Sequence, residues 1–346
     1  MKKLVYGAAA LTLAGTAYAS DTDWSAFDSD SDVTALTTSL AAEKEGPAIG
    51  GFLQTLYSLD SDNDVSGFTV QRARLTIDGG RDGYEYHIGY ELTEDGLFDD
   101  GLVDAFVTIP VSSISARFGL FRPAISRNGM TSSSRHFFIN RSEIGNGFDG
   151  RQEGVGINGD FDQLSWWLSL TDGNDGDTDE YLIALRVALD LVGNGVEGIE
   201  GAYGGPDEIG AQASVSFFDD GSVDDGDGII IEGHAVSSIY SFGFEFADFS
   251  EGATGAQTGN NPVGFLTDDS SPVAVYGTYM LTPDQWEVGL RYQDVDDDAD
   301  TDLIEVGVNH YLEGHNLKWG FGFRTVDSDN AGFEQDLVQV RLQVRF

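Results

Sequence analysis

The chain has 346 residues, no cysteine, and 59 acidic against 18 basic side chains, for a formal net charge of −41. That charge excludes nucleic acid as a partner, because phosphate binding needs a basic face, and the missing thiols exclude disulfide staples and thiolate metal sites. Acidity of this size reads first as a solvated surface, and the length accommodates either two soluble domains or one large barrel.

Lys2 and Lys3 precede an apolar run from Leu4 to Ala14, and Ala17, Tyr18 and Ala19 supply a small-x-small cleavage pattern. A signal peptide over residues 1–20, and export to the periplasm, are expected. Residues 21–47 are rich in Asp, Ser and Thr, with Val33, Leu36 and Leu40 at helical spacing before Gly46 and Pro47. They read as a periplasmic leader, disordered or briefly helical. No later window offers the ~18 consecutive apolar residues of a spanning helix, a test that cannot detect strands.

From residue 48 the hydrophobic period becomes two and stays so. Sixteen candidate strands follow, over 48–59, 66–79, 82–92, 101–110, 113–121, 153–161, 164–171, 180–190, 210–218, 229–236, 239–248, 272–281, 284–294, 302–312, 315–326 and 335–346. Each is near the ~9–11 residues that cross a bilayer at a tilt. Trp286, Val288, Leu290 and Tyr292 alternate with Glu287, Gly289, Arg291 and Gln293, and Leu317, Trp319, Phe321 and Phe323 alternate with Lys318, Gly320, Gly322 and Arg324. Tyr57, Tyr84, Tyr90, Trp286, Tyr292 and Trp319 lie near strand ends, as interfacial girdles or as packed-core aromatics. Alternation suits a barrel with apolar groups facing lipid, and equally a soluble sandwich with apolar groups inside.

Connection lengths separate the two. Short turns are expected at Gly80-Arg81, Val111-Ser112, Asp162-Gln163, Ser237-Ser238, Thr282-Pro283 and Glu313-Gly314, with longer acidic loops at the other end. Short periplasmic turns, longer external loops and an even strand number describe bacterial outer-membrane barrels. Residues 191–209 disobey, forming a long Gly-rich connection on the short-turn side where strand pairing is least defined. The longest connection, Arg122 to Gln152, carries Phe137, Phe138, Ile139 and Phe148 and can therefore pack. Its five arginines (Arg122, Arg127, Arg135, Arg141, Arg151) against Glu143 and Asp149 make it locally basic in an acidic chain.

The segments Gly67–Gly79 (GFTVQRARLTIDG), Arg117–Pro123 (RFGLFRP), Thr131–Arg141 (TSSSRHFFINR) and Arg151–Gly159 (RQEGVGING) resemble the phosphate-selective porin O and P family in order and spacing. The resemblance covers roughly residues 48–165 by motif and the remainder by architecture. It implies an outer-membrane barrel of sixteen strands, a homotrimer, and a third external loop folded inward to narrow the pore. The C-terminal strand, closing on Phe346, resembles the signal read by the barrel assembly machinery. The chain departs from the family in lysine: beyond the first twenty residues only Lys44 and Lys318 occur.

These readings give the candidate site. Arg72, Arg74, Arg117, Arg122, Arg127, Arg135 and Arg141 are expected at the constriction as electrostatic contacts for solute, since rings of guanidinium groups select anions. Alternation also turns Arg186, Arg291, Arg324 and Arg341 into the lumen. The alternative is that the arginines pair with lumen carboxylates such as Asp78, Glu85, Glu91, Asp104, Glu245, Glu287 and Glu305 and simply anchor the loop. No cofactor, metal or catalytic residue is expected. His87, His136, His234, His310 and His315 sit in no nucleophile or metal motif, and Asp294–Glu305 has Ala299 where a calcium loop requires Gly. The acidic stretches Asp172–Glu180 and Asp219–Asp227 read as solvated external loops, or as sites for divalent ions bridging to lipopolysaccharide. The expected function is diffusion of small anionic solutes such as phosphate. The alternatives are a general or cation-preferring porin, an outer-membrane barrel enzyme, or a soluble β-rich binding protein.

Overall fold

In the computed structural model the period-two pattern becomes sixteen antiparallel strands, and the structure describes residues 47–61, 65–93, 101–173, 181–193, 196, 198–221, 226–250, 270–330 and 333–346. The strands are β1 (Ala48–Asp60), β2 (Val65–Arg81), β3 (Tyr84–Glu91), β4 (Leu102–Val111), β5 (Ile114–Phe121), β6 (Gln152–Phe161), β7 (Leu164–Thr171) and β8 (Leu182–Val192). They continue as β9 (Gly210–Asp220), β10 (Asp227–Val236), β11 (Tyr240–Phe249), β12 (Val273–Thr282), β13 (Trp286–Asp294), β14 (Asp302–Glu313), β15 (Leu317–Asp327) and β16 (Gln335–Arg345). The signal peptide, the leader to residue 46, Lys44, and parts of the acidic stretches 172–180 and 219–227 lie outside the described residues.

Each strand pairs with its neighbours in sequence, and β16 pairs with β1 from Phe52↔Arg345 to Asp60↔Leu337, closing the barrel. Closure satisfies every strand edge, which a bilayer requires because its core offers no water to unpaired backbone groups. β8 and β9 pair directly from Leu182↔Asp220, with one bulge between Asp190 and Val192, so the anomalous connection between them does not interrupt the sheet. The turn between β2 and β3 falls at Asp82-Gly83 rather than Gly80-Arg81, with Gly83 at positive φ.

Burial runs opposite to that of a soluble protein. Phe68 is 86% exposed, and Phe118, Phe242, Leu290 and Leu342 also face outward, whereas Arg186, Arg291 and Glu287 on the inner face are 0–1% exposed. Apolar groups outside and charged groups inside fit a lipid-facing wall around a polar lumen. Near the short-turn end Trp286 stacks on His310 with centroids 4.1 Å apart, and Trp319 meets Trp286 edge-on at 5.4 Å, as an interfacial aromatic belt would.

Candidate functional site: the lumen constriction

The connection after β5 folds into the barrel. Its two ends are clasped by Arg122, which donates to the carbonyls of Asp149 (2.9 Å) and Met130 (2.8 Å). Two short helices punctuate it, α1 (Arg127–Met130) and α2 (Glu143–Gly147), capped by Ser126 and Ser142, which accept from Gly129 N and Gly145 N. Glu232 of β10 accepts from Arg127 N at 2.7 Å, and Ser142 donates to Glu245 of β11 at 2.5 Å, so both caps are bonded to wall carboxylates.

Between the helices the chain runs irregularly, and its carbonyls need donors because a buried unpaired backbone group costs about as much as a lost hydrogen bond. The wall supplies them strand by strand. Gln54 of β1 donates to Ser133 O, Gln343 of β16 to Ser134 O, Lys318 of β15 to His136 O and Asn309 of β14 to Phe137 O. Arg341 of β16 then donates to Ile139 O, and Arg291 of β13 to the carbonyls of Asn140 and Arg141. The apolar side chains find a seat in a row of inward glycines, Gly289, Gly307 and Gly322, paired across β13, β14 and β15. A Cβ on Gly289 or Gly307 would lie 2.5 or 2.7 Å from the Phe137 ring, so these positions need glycine for this approach, while one on Gly322 would lie 3.1 Å from Ile139, a tight fit.

A cavity of about 270 Å³ remains between this loop and the wall of β1, β2, β15 and β16. Arg72, Arg141, Arg324 and Arg341 line it, with Glu143 as the one carboxylate, and Gln54, Gln71, Asn140 and Asn146 add amide groups. Arg141 is held by Asp149 at 2.9 Å and Arg324 by Glu143 at 2.9 Å, while no ion pair holds Arg72 among the described residues. A second cavity, of about 310 Å³, opens toward the short-turn end between Arg135, Tyr203 and the β14–β15 turn.

Of the seven arginines expected at the constriction, Arg72 and Arg141 line the first cavity and Arg135 the second. Arg74 pairs with Glu91 at 3.2 Å, and Arg117 stacks over Phe106 and Trp167, 4.1 and 4.8 Å from the ring centres. Arg122 and Arg127 bond loop carbonyls, the latter that of Ile199. Carboxylate pairing of the kind the alternative describes holds Arg74 with Glu91, Arg151 with Asp104 and Arg291 with Glu305, whereas Arg122 and Arg127 bond backbone carbonyls. Arg324 and Arg341 join the cavity although the sequence assigned them no solute contact; their inward alternation was the available signal.

The connection after β8, anomalously long in the sequence, contributes Glu200, to which the sequence assigned no role. Residues 198–205, between β8 and β9, reach into the lumen from the short-turn end and meet the loop at Glu200, which is 1% exposed. Its carboxylate accepts from Phe137 N (2.9 Å), Phe138 N (3.0 Å), Asn128 (3.0 Å), Arg291 (3.2 Å) and His136 Nδ1 (3.2 Å). Burial alone would raise this carboxyl, but His136, Arg291 and the Phe138 amide outweigh it and hold the group below the usual carboxylate range. Burial, opposed by Glu200 and reinforced by Arg141, pushes the His136 imidazole down to about 4. His136 is therefore neutral, donating from Nδ1 to Glu200 and accepting at Nε2 from Arg141 at 2.6 Å. Among the described residues no cluster of His, Asp and Glu is arranged to hold a metal ion.

The sequence profile of the family described as phosphate-selective porin O and P matches residues 48–226. A comparison with curated proteins finds no match. Among solved structures, a loop-deletion mutant of OmpT, an outer membrane protein of Vibrio cholerae, superposes with a TM-score of 0.60 at 14% identity, over 87% of this chain and 99% of that one. A mutant of the Rh. blastica porin superposes at 0.57 with 15% identity, over 87% and 100%. In-vitro folded OmpT in its trimer form superposes at 0.59 with 11% identity, over 87% and 100%. At such identities the likeness is one of fold.

Proposed function

Because this chain belongs to the phosphate-selective porin O and P family, a family of outer-membrane channels, we propose that its lumen passes small anions and that the arginine-lined cavity sets the preference. The observation that carries this reading is the charge of the cavity: four arginines against one glutamate, inside a chain whose net charge is −41. An anion entering from the long-loop end exchanges water for guanidinium N–H groups, with the amides of Gln54, Gln71, Asn140 and Asn146 completing its shell. Phosphate and small carboxylates both suit forked donors. No chemical step is required, and the protein's contribution is orientation of fixed charge in a narrow, partly desolvated passage.

The same reading makes the short-turn end periplasmic, residues 1–20 a cleaved export signal, and the assembly a homotrimer in contact with lipopolysaccharide. It also makes Phe346, whose side chain is 71% exposed, the handle for the barrel assembly machinery. The second reading, a general or cation-preferring pore, is favoured by the acidic total alone. Planar-bilayer recording of purified protein in asymmetric potassium chloride separates the two: the reversal potential should have the anion sign, and millimolar phosphate should reduce chloride current. A reversal potential of the cation sign would overturn the anionic assignment while leaving the pore intact.

A further inference from the structure

Porin lumens are narrowed here from both ends, and the two intrusions touch. We propose that residues 198–205 form a second constriction element rising from the short-turn end, and that Glu200 at its tip is a positioning residue that holds the inward loop across the lumen. This inference rests on the channel reading but not on the ion the channel prefers.

Glu200 is not a wall residue. Its strands, β8 and β9, are already paired to each other, so the connection is free to leave the sheet, and it spends that freedom entering the lumen. One carboxylate captures two consecutive backbone amides of the loop, Phe137 and Phe138, together with the Asn128 amide and the His136 ring. That single carboxylate thereby gathers the α1 helix and the extended run into one bond cluster. The capture is reciprocal, since Arg127 donates to Ile199 O at 2.6 Å and Glu200 N donates to Arg135 O at 3.4 Å.

The element has its own footing on the wall. Ser241 donates to Glu200 O at 2.8 Å, and Ala202 N donates to Glu287 at 2.5 Å. Tyr203 stacks on Tyr311 of β14 with ring centres 4.0 Å apart and planes at 17°. Tyr203 also borders the cavity toward the short-turn end, opposite Arg135 of the loop. Loosening this footing should therefore loosen a loop that Tyr203 does not anchor directly, because the bond cluster at Glu200 transmits the change.

The test uses full-length protein in planar bilayers and a thiol probe, which is clean because the chain has no native cysteine. Glu200→Gln keeps the shape but removes the charge, and Tyr203→Ser removes the stack without touching a loop bond. Both should give noisier channels with mean conductance raised about twofold. A cysteine at Ser134, 0% exposed in the loop, should react with a charged methanethiosulfonate at least tenfold faster in either background than alone. Asp162→Asn, in the β6–β7 turn on the same end, should change neither reading. Should Glu200→Gln fail to give the heat-modifiable folded band, Tyr203→Ser decides alone. Well-formed channels with wild-type conductance and labelling rate in the folded variants would overturn the proposal, whereas absence of channels from the wild-type protein would instead overturn the porin reading.

Discussion

Arg72 is the guanidinium of the cavity with the fewest commitments: no ion pair holds it among the described residues, and it faces the passage beside Gln71. Removing it strands no buried carboxylate, so Arg72→Ala should leave folding intact and reduce anion over cation permeability by about threefold to tenfold, corresponding to roughly 1 kcal/mol of lost attraction. An unchanged reversal potential would count against the cavity as the selective element. Glu232 is the opposite case. It accepts from the buried Arg186 guanidinium, from Ser126 and from Arg127 N, so Glu232→Ala leaves a buried cation without its neutralising carboxylate and should cost about 3–5 kcal/mol in urea unfolding from lipid vesicles. His136 gives the molecule an acid limit. Its imidazole is pushed down to about 4, so the unfolded chain takes up a proton at higher pH than the folded one. The stability it contributes is complete above its ordinary value near 6.5 and is lost as pH falls through about 4. The lowered carboxyl of Glu200 acts in the same direction. Melting temperature should fall across that window, and His136→Gln should flatten the fall.

At the scale of elements, the inward loop is seated by shape as much as by charge. Phe137 rests on the Gly289 and Gly307 positions, where any Cβ would overlap its ring. Gly289→Ala should unseat the ring at a cost of about 1–3 kcal/mol, visible as flickering conductance with an intact heat-modifiable barrel. A steady wild-type current would show that the seat has slack. All sixteen strands were legible from alternation, with ends within a few residues of those observed, because one face meets lipid and the other water along the entire length. The loop was legible from its length and its aromatics. What alternation could not reveal was which arginines remain available: Arg117 and Arg341 both point inward, yet one lies over Phe106 and the other borders the cavity. That depends on lateral neighbours set by strand register, which a linear pattern does not encode. Glu200 escaped notice for a similar reason, since its partners lie in a different connection, more than sixty positions away. The excess length of 191–209 on an end of short turns was the available sign.

For the whole molecule, charge is divided by depth. Among the described residues the acidic run Asp294, Asp296, Asp298 and Asp300 is exposed, while the cavity is ringed by arginine. Salt screens exposed charge over a Debye length of ~10 Å at 0.1 M and ~3 Å at 1 M, but screens buried charge much less. Raising salt should therefore suppress repulsion of anions at the mouth before it weakens attraction inside. The anion preference should grow between 0.1 and 1 M, whereas a pore ruled by its surface would lose selectivity. The wall itself should require detergent for extraction and migrate differently on gels before and after boiling; release by a salt wash would contradict a lipid-facing exterior.

The seam where Gly51 and Phe346 exchange backbone bonds, at 2.9 and 3.0 Å, joins the first strand to the last. A ring of this kind cannot be completed while its final segment is still being synthesised. Until then both rims present raw ladders that invite mispairing, so closure must wait for the last strand. A product lacking β16 should accumulate as aggregate or be degraded rather than persist as a smaller barrel.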